Sequence, residues 1–383
     1  MSNRREVIIG TLAAFILSFS SAFALFKVPP HIQNLMTDFG LTYTLAGFFM
    51  GLVGLSIVVS SIPGGLIIAR YGPKKIGLTA ILLVILGGLI QVISQNIYLL
   101  FAGRVIEGVG ISLGLVSAPT IISALFPPNK RGFALGLYLI CFPLGSVAAM
   151  NISLIVPLVW GWRIIWWLSL CVSLLSLSIL SYTKDIKMVQ SASRGSLRRV
   201  ISKPLLWILP LANMGIGSPG NSLINWGPTY LNLAKGIAVP LGSLLVSLTM
   251  LMAIPISPIG GWLADKVRPR KLVYAFPLLV LAILYPSIPY IPFSMFLVMM
   301  LIIGFFNNIV PPAATADVAE VAGPEATSIG FGIVTTMVNI GIMVSSPLFG
   351  FIYDTYGSWN LCFLSLAIYD ILGFLSTIPK RTK

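Results

Sequence analysis

"GGLIIARYGPKK", residues 64–75, returns in altered form as "GGWLADKVRPRK", residues 260–271, in a chain of 383 residues. The offset between the two copies is 196 residues, about half of the chain. Further glycines and prolines obey the same offset without gaps: Gly108 and Gly304, Pro128 and Pro324, Gly136 and Gly332, Gly161 and Gly357. Glycine and proline constrain the backbone. The repeat therefore predicts two copies of one structural unit.

The composition indicates that lipid surrounds most of the chain. Hydrophobic residues make up 57% of the sequence and charged residues 9%, whereas a soluble domain carries about 25% charged residues. The formal net charge is +14, but the basic residues lie in short loops between apolar runs, which is the positive-inside pattern of membrane proteins. We therefore expect a lipid bilayer as a partner and no nucleic acid.

Twelve apolar runs are long enough to cross a bilayer as helices. They form six runs, a basic linker at 183–204, and six more runs. We predict an N-terminal six-helix bundle over 1–182 and a C-terminal six-helix bundle over 205–383. The runs lie near 7–27, 44–69, 76–95, 97–125, 133–158, 163–182, 205–231, 241–264, 272–291, 294–315, 327–352 and 359–378.

The basic residues also predict the direction of the runs. If the N-terminus is cytoplasmic, twenty of the 24 lysines and arginines fall in cytoplasmic segments, as the positive-inside rule requires. We expect a multi-pass protein of the cell membrane with both termini in the cytoplasm. Because six is an even number, the two copies run in the same direction, an arrangement known among secondary transporters.

The two repeated phrases resemble the loop signature of the major facilitator superfamily, G-x-L-A-D-R-x-G-R-K. The stretch from Arg104 to Gly110, "RVIEGVG", resembles its fourth-helix signature, R-x-x-x-G-x-G, and "GWR" at 161–163 is similar to the family as well. The resemblance implies an all-α integral membrane fold of twelve transmembrane helices in two parallel six-helix repeats, which transports by alternating access. Two departures are Ala69, where the family usually has Asp, and the lack of a G-P-centred signature in the fifth run.

The resemblance also implies that the repeated loops latch the two halves on the cytoplasmic side. Their glycines would let helices approach closely. The alternative is that the loops only carry inside-positive charge. The residues concerned are Gly65, Arg70, Gly72, Lys74 and Lys75 in the first copy, and Gly261, Asp265, Lys266, Arg270 and Lys271 in the second.

Charged residues within the membrane are expensive and mark functional sites. Arg104 and Glu107 lie three residues apart in the fourth run and could pair on one helix face. We predict that Arg104 binds an anionic group of the substrate and that Glu107 carries a proton or is the partner released by the substrate. The alternative is a structural ion pair. Lys27 either adds a second cation or snorkels to the outer interface.

Neutral polar residues supply the remaining candidates in the second half. The seventh run is interrupted by Gly and Pro, which in repeat transporters points to a binding site, and Asn in a span must find a partner. Helix packing is the alternative for each of these residues. The predicted substrate-binding residues are Asn225, Trp226, Tyr230, Asn307, Asn308 and Asn339.

Other polar residues are assigned structural roles. We expect His31, the single histidine, to be an outer loop residue. Asp317 and Glu320 are expected to cap a helix or make gate contacts, and Asp370 lies in the last run, which the family places at the periphery.

We therefore predict a secondary active transporter that moves a small organic or inorganic anion and is coupled to protons. The alternative is efflux of hydrophobic or drug-like compounds. With one histidine and no G-x-x-x-x-G-K-[ST] phosphate loop, we expect no enzyme activity, no cofactor and no metal. A monomer is expected.

Overall fold

The structure, a computed structural model, describes residues 4–156, 161–185, 204–322 and 327–378. All regular secondary structure in these ranges is helical. The α-helices of the first half are α1 (Arg4–Phe26), α2 (Ile32–Phe39), α3 (Tyr43–Tyr71), α4 (Pro73–Ile93), α5 (Ile97–Leu125), α6 (Pro128–Tyr138), α7 (Cys141–Asn151) and α8 (Arg163–Ser181).

The second half of the chain contains the remaining α-helices of the described ranges. They are α9 (Leu205–Ile208), α10 (Pro210–Lys235), α11 (Val239–Leu251), α12 (Ala253–Lys266), α13 (Leu272–Ser287), α14 (Phe296–Ala322), α15 (Thr327–Tyr356) and α16 (Trp359–Leu375). The predicted linker at 183–204 lies almost wholly outside the described residues.

The helices match the predicted apolar runs. Ten helical segments of the described chain are long and apolar enough to cross a membrane. The two predicted runs beyond these ten are α16, a shorter apolar helix of 17 residues, and α10, which has 26 residues but carries several Asn and Ser side chains. The predicted all-α membrane fold is confirmed, and the protein is a multi-pass membrane protein.

Two predicted runs are broken rather than continuous. The fifth run forms α6 and α7, with a break at Leu139 and Ile140, and the eighth run forms α11 and α12, with a break at Met252. Pro255 follows the second break and has no N–H to continue the hydrogen-bond ladder. Between α1 and α3 the chain forms α2, which ends at Gly40 with a left-handed φ of 63°, a conformation that favours glycine.

Contacts between residues divide the chain into two compact units. The first comprises the described residues of Met1–Gly40 and Leu52–Gln190. In this unit α1 packs against α5, α7 and α8, and α4 packs against α5 and α8. The first unit thus encloses a core shared by α1, α4, α5 and α8.

The second unit comprises the described residues of Leu41–Gly51 and Ser191–Lys383. Here α10 packs against α15 and α16, while α13 packs against α14 and α16. Asp354 of α15 caps the start of α3: its carboxylate accepts from the backbone N–H of Tyr43 (3.1 Å) and Thr44 (2.7 Å), and from the Thr44 hydroxyl (2.6 Å). A carboxylate at a helix N-terminus satisfies unpaired donors and complements the helix dipole.

The glycines of the repeated phrase differ in how closely a neighbouring helix approaches them. A Cβ added at Gly260 would lie 2.6 Å from the carbonyl oxygen of Ile309 and 3.0 Å from its Cα, so this glycine lets α12 and α14 touch. A Cβ added at Gly65 or Gly261 would meet no atom within 4 Å. Close helix approach is therefore confirmed for Gly260 and not for its neighbour Gly261.

Gly260→Ala and Gly261→Ala form a matched pair that tests this difference. We expect Gly260→Ala to lower the free energy of unfolding by about 1–3 kcal/mol, because backbone atoms of α14 must move to admit the methyl group. Gly261→Ala should leave stability unchanged or raise it by up to about 1 kcal/mol, since alanine favours helix. Thermal unfolding of the detergent-purified proteins measures both, and equal melting temperatures for the pair would contradict the packing.

Candidate functional site

Three charged side chains meet inside the first unit, and we call them the charge cluster: Lys27, Arg104 and Glu107. Lys27 Nζ lies 2.5 Å from Glu107 Oε1, and Arg104 Nη1 lies 2.8 Å from Glu107 Oε2. All three side chains are at most 1% exposed. The pairing of Arg104 with Glu107, predicted from their spacing, is confirmed. Snorkelling of Lys27 to the interface is wrong, because the ammonium is buried against Glu107.

The carboxylate of Glu107 accepts a third hydrogen bond. Gln91 Nε2 donates to Glu107 Oε2 at 2.9 Å, and Trp166 Nε1 in turn donates to Gln91 Oε1 at 3.0 Å. Lys27 Nζ also lies 3.5 Å from Ser169 Oγ and 5.1 Å from the centroid of the Trp166 ring. The cluster therefore connects α1, α4, α5 and α8 through charge-assisted hydrogen bonds, which are stronger than neutral ones.

Arg104 also binds the end of α1. Its Nη1 donates to the carbonyl of Ala24 (3.2 Å) and its Nη2 to that of Leu25 (3.1 Å). The last four carbonyls of a helix lack intrahelical partners, and α1 ends at Phe26, so a cation there satisfies them and complements the helix dipole. The guanidinium thus bridges a helix end and a carboxylate.

Glycines place Glu107 at this point. A Cβ added at Gly87 would lie 2.4 Å from the backbone nitrogen of Glu107 and 2.5 Å from the carbonyl oxygen of Gly103, so α4 and α5 are in direct backbone contact. Gly88, the next residue, faces the Leu170 side chain, whose Cδ2 lies 3.0 Å from the position of the missing Cβ. The close approach at Gly87 thus brings Glu107 beside Gln91, one turn further along α4.

Two partners of the cluster, Gln91 and Trp166, lie outside the predicted site residues. Gln91 is the one amide within α4, and intramembrane polar groups are informative. His31 lies in the turn between α1 and α2, as expected of a loop residue, but it is only 1% exposed, and its ring lies 6.3 Å from that of Trp166. The turn at Pro29–His31 folds inward beside α8.

The candidates of the second unit do not all share one set of contacts. Asn225 Nδ2 donates to Ser346 Oγ (2.7 Å) and Trp226 Nε1 to the Ser346 carbonyl (3.1 Å), so these two meet on α15. Tyr230 packs edge-on against Trp359 and Phe363. These contacts are those of a packed helix interface.

The other three asparagines make separate contacts. Asn308 Nδ2 donates to the carbonyl of Thr249 at 2.9 Å, and Asn339 Nδ2 to that of Thr335, one turn earlier in its own helix, at 2.9 Å. Asn307 lies against Gly220, where an added Cβ would be 2.5 Å from its Nδ2. Substrate binding by Asn225, Trp226, Tyr230, Asn307, Asn308 and Asn339 stays a prediction.

The second copy of the repeated loop holds a second ion-pair cluster. Arg270 Nη1 lies 3.1 Å from Asp317 Oδ1 and 2.9 Å from Glu320 Oε2, and its Nε donates to the Ala264 carbonyl. The Tyr274 hydroxyl donates to Asp317 Oδ2 at 2.8 Å. Arg270 thereby joins the loop to the end of α14, and the capping or gate role of Asp317 and Glu320 stays a prediction.

The remaining loop residues lie at or near the surface. Lys74 of the first copy binds the carbonyl of Thr183, and Gly72 has a φ of 87°, which favours glycine at the start of α4. Lys271 Nζ donates to the Thr377 carbonyl (3.3 Å), and Lys266 Nζ lies 4.2 Å from the Trp262 ring centroid. Exposed side chains of the motif are Arg70, Lys75 and Asp265. The latch role of all these residues stays a prediction.

The described residues form an all-helical fold with ten lipid-length helical segments and buried charges, which is the pattern of a multi-pass membrane protein. The model of the Major Facilitator Superfamily matches residues 11–253 and 227–382. The chain belongs to the major facilitator superfamily, as its motifs predict.

Several relatives align along most of the chain. The uncharacterized transporter YybO of Bacillus subtilis is 23% identical, over 94% of this chain and 90% of that protein. The 2-nitroimidazole transporter of Escherichia coli is 25% identical, over 90% and 88%. The probable galactarate/D-glucarate transporter GudP of Escherichia coli is 19% identical, over 90% and 86%.

Solved structures support the fold. The D-xylose-proton symporter superimposes with a TM-score of 0.78 at 15% identity, covering 97% of this chain and 96% of that one. A variant of the nucleoside transporter NupG gives a TM-score of 0.82 at 14% identity, covering 97% and 100%. The protein is thus a transporter of small solutes by family and fold.

Glu107→Gln tests whether the cluster stabilises the first unit. The variant keeps the shape of the side chain but leaves two buried cations without their carboxylate, and we expect it to lower the free energy of unfolding by about 3–5 kcal/mol. Thermal unfolding in detergent measures the loss.

Arg163→Gln is the control for this test. Arg163 Nη1 pairs with Asp38 Oδ2 at 3.5 Å with both side chains 42% exposed, and it donates to the carbonyls of Val92 and Ser94 at 3.2 and 3.4 Å. Because these contacts are partly exposed, the loss should be at most about 2 kcal/mol. If Glu107→Gln melts no earlier than Arg163→Gln, the cluster does not stabilise the fold.

Proposed function

We propose that this protein is a secondary active transporter for a small organic or inorganic anion, coupled to protons. The observation that carries the proposal is the charge cluster: it holds two cations and one anion, all buried. With both cations charged, it has an excess positive charge. The proposal includes transport by alternating access in the cell membrane, a monomeric protein and cytoplasmic termini.

Buried charge without a counter-charge is unfavourable. An anionic solute would supply the missing negative charge, so the cluster discriminates between anions and neutral compounds by electrostatics alone. Arg104 suits this role because a guanidinium holds a carboxylate or phosphate with two parallel hydrogen bonds. In the described conformation Glu107 occupies one side of that guanidinium.

The geometry supports an exchange of partners. Glu107 has separate contacts to Lys27 through Oε1 and to Arg104 through Oε2. A solute anion that binds Arg104 would replace the second contact while Lys27 and Gln91 keep hold of Glu107. In this proposal Arg104 binds the solute, Lys27 retains the resident carboxylate, and Glu107 is the partner released or the group that takes up a proton.

The relatives show that the family alone does not select the substrate. One is named for galactarate and D-glucarate, which are dicarboxylates, and another for 2-nitroimidazole. A structural neighbour is a proton symporter for D-xylose. The proposal of proton coupling and anion selectivity is therefore based on the buried charges of this chain, because the residues of a site, and not the fold, determine the substrate.

A ligand panel with wild type and Arg104 variants tests the proposal. The probes are D-glucarate and inorganic phosphate as anions, D-xylose as a neutral sugar and 2-nitroimidazole as a drug-like compound. We expect at least one anion to raise the melting temperature of wild type, since a ligand at about 100 times its Kd adds about 2.7 kcal/mol of stability. Uptake of that anion into proteoliposomes should follow.

Arg104→Ala should lose the anion response, and Arg104→Lys should retain part of it, because the charge remains while the two-pronged geometry is lost. Arg163→Gln, whose charge is half exposed, should respond like wild type. If 2-nitroimidazole stabilises wild type and Arg104→Ala equally while both anions have no effect, the anion proposal is wrong and efflux of hydrophobic compounds replaces it.

A further inference from the structure

A second buried acid lies in α16, the last helix of the second unit. Asp370 is 0% exposed, and neither of its carboxyl oxygens has a hydrogen-bond partner among the described residues. Glu107 of the first unit is equally buried but accepts from Lys27, Arg104 and Gln91. The two acids therefore have the same burial and opposite surroundings.

The helices around Asp370 are in close contact. A Cβ added at Gly215 of α10 would lie 2.8 Å from the carbonyl oxygen of Tyr369 and 3.0 Å from the Cα of Gly373. A Cβ added at Gly373 would lie 3.2 Å from the Cα of Gly215. Because the backbones of α10 and α16 touch beside Asp370, this acid is held at a tight helix interface rather than at the lipid surface.

The groups that face Asp370 are neutral. From α13, Tyr285 is buried and interacts electrostatically with Asp370. Asn307 of α14 fits its amide against Gly220 of α10. The Tyr285 hydroxyl and the Asn307 carbonyl oxygen are both buried without a hydrogen-bond partner among the described residues.

The charged groups of the packed elements are engaged elsewhere. Lys235, at the end of α10, donates to the carbonyls of Pro289 and Ile291, and Lys271, before α13, donates to that of Thr377. On α15, Asp354 caps α3, and on α14, Asp317 pairs with Arg270. Glu320 of α14 also pairs with Arg270. The other titratable side chains on α15 and α16 are Tyr353, Tyr356, Cys362 and Tyr369.

We propose that Asp370 is a proton-binding site of the second unit, with Tyr285 and Asn307 as its polar neighbours. An ionised carboxylate without a partner is strongly disfavoured in such surroundings, so the carboxyl holds a proton in the described conformation. On release, the proton leaves as H⁺ and the carboxylate that remains can accept from the Tyr285 hydroxyl. The sequence analysis had assigned Asp370 a structural role.

This proposal rests on the proposed function in one respect: the bound proton exchanges during the transport cycle. The carboxyl of Asp370 has no cation beside it. Glu107, in contrast, accepts from three donors that favour its ionised form. The second unit buries two acids, of which Asp317 is paired with Arg270 and Asp370 is not. Glu107 and Asp370 lie at unrelated positions of the sequence repeat.

Infrared difference spectroscopy of the purified protein tests the bound proton without any solute. We expect wild type at pH 7 to show the carbonyl stretching band of a neutral carboxylic acid, and Asp370→Asn to lose that band while keeping its helical content. Asp317→Asn is the burial-matched control, because Asp317 is paired with Arg270 and Tyr274, and it should keep the band. If Asp370→Asn leaves the spectrum unchanged, the proposal is overturned.

Proteoliposomes test whether the proton moves. For the probe that wild type transports, an inward gradient of one pH unit should give up to about a tenfold accumulation at one proton per solute. Asp370→Asn should lose this accumulation but retain exchange of labelled for unlabelled probe, and Asp370→Glu should restore part of it. Accumulation by Asp370→Asn equal to that of wild type would show a static proton and overturn the proposal.

The two proposals fail in different ways. If wild type moves no member of the panel, the proposed function is wrong, whereas the infrared band still decides whether Asp370 binds a proton. If an anion is transported through Arg104 and the Asp370 band is absent, the proposed function stands and the proton site in α16 does not exist.

Discussion

The hydrocarbon core of a bilayer has no water to solvate a charge, so a buried ion is stable only where the protein supplies its partners. The charge cluster meets this requirement by pairing three buried charges with one another. Glu107 accepts from three donors, and Arg104 also donates to the carbonyls of Ala24 and Leu25 near the end of α1. The positions of α1, α4, α5 and α8 depend on this pairing, because moving any one of them separates a charge from its partner.

The two units share a sequence repeat but not their buried chemistry. The backbone features that repeat are glycines and prolines, which fix how helices approach and turn. The fully buried charges differ: the first unit holds two cations and one acid at its core, whereas the second buries Asp370 among neutral groups and pairs Asp317 with Arg270 at a helix end. The repeat thus fixes an architecture, and the side chains added to it make the two units chemically different.

Much of the fold follows from the sequence, and less of the site. The apolar runs predict the helices, since lipid-length hydrophobic stretches have few alternatives. The pairing of Arg104 with Glu107 is local to one helix and could be predicted from spacing. The partners Lys27, Gln91 and Trp166 come from three other helices, and only tertiary packing brings them to the same carboxylate. The inward turn at His31 and the break at Met252 also depend on packing that short-range patterns do not encode.

The placement of Arg104 and Glu107 on one helix has a consequence for how the protein is made. During synthesis α5 can enter the bilayer with its own ion pair already formed, because the two residues are three positions apart. Lys27 is synthesised about eighty residues before its partner and sits at the end of α1, where its long side chain can reach the interface. Lys27 therefore enters the membrane before its counter-ion, near the interface where water can solvate its ammonium group. Glu107 arrives later in α5, where Arg104 already neutralises its charge.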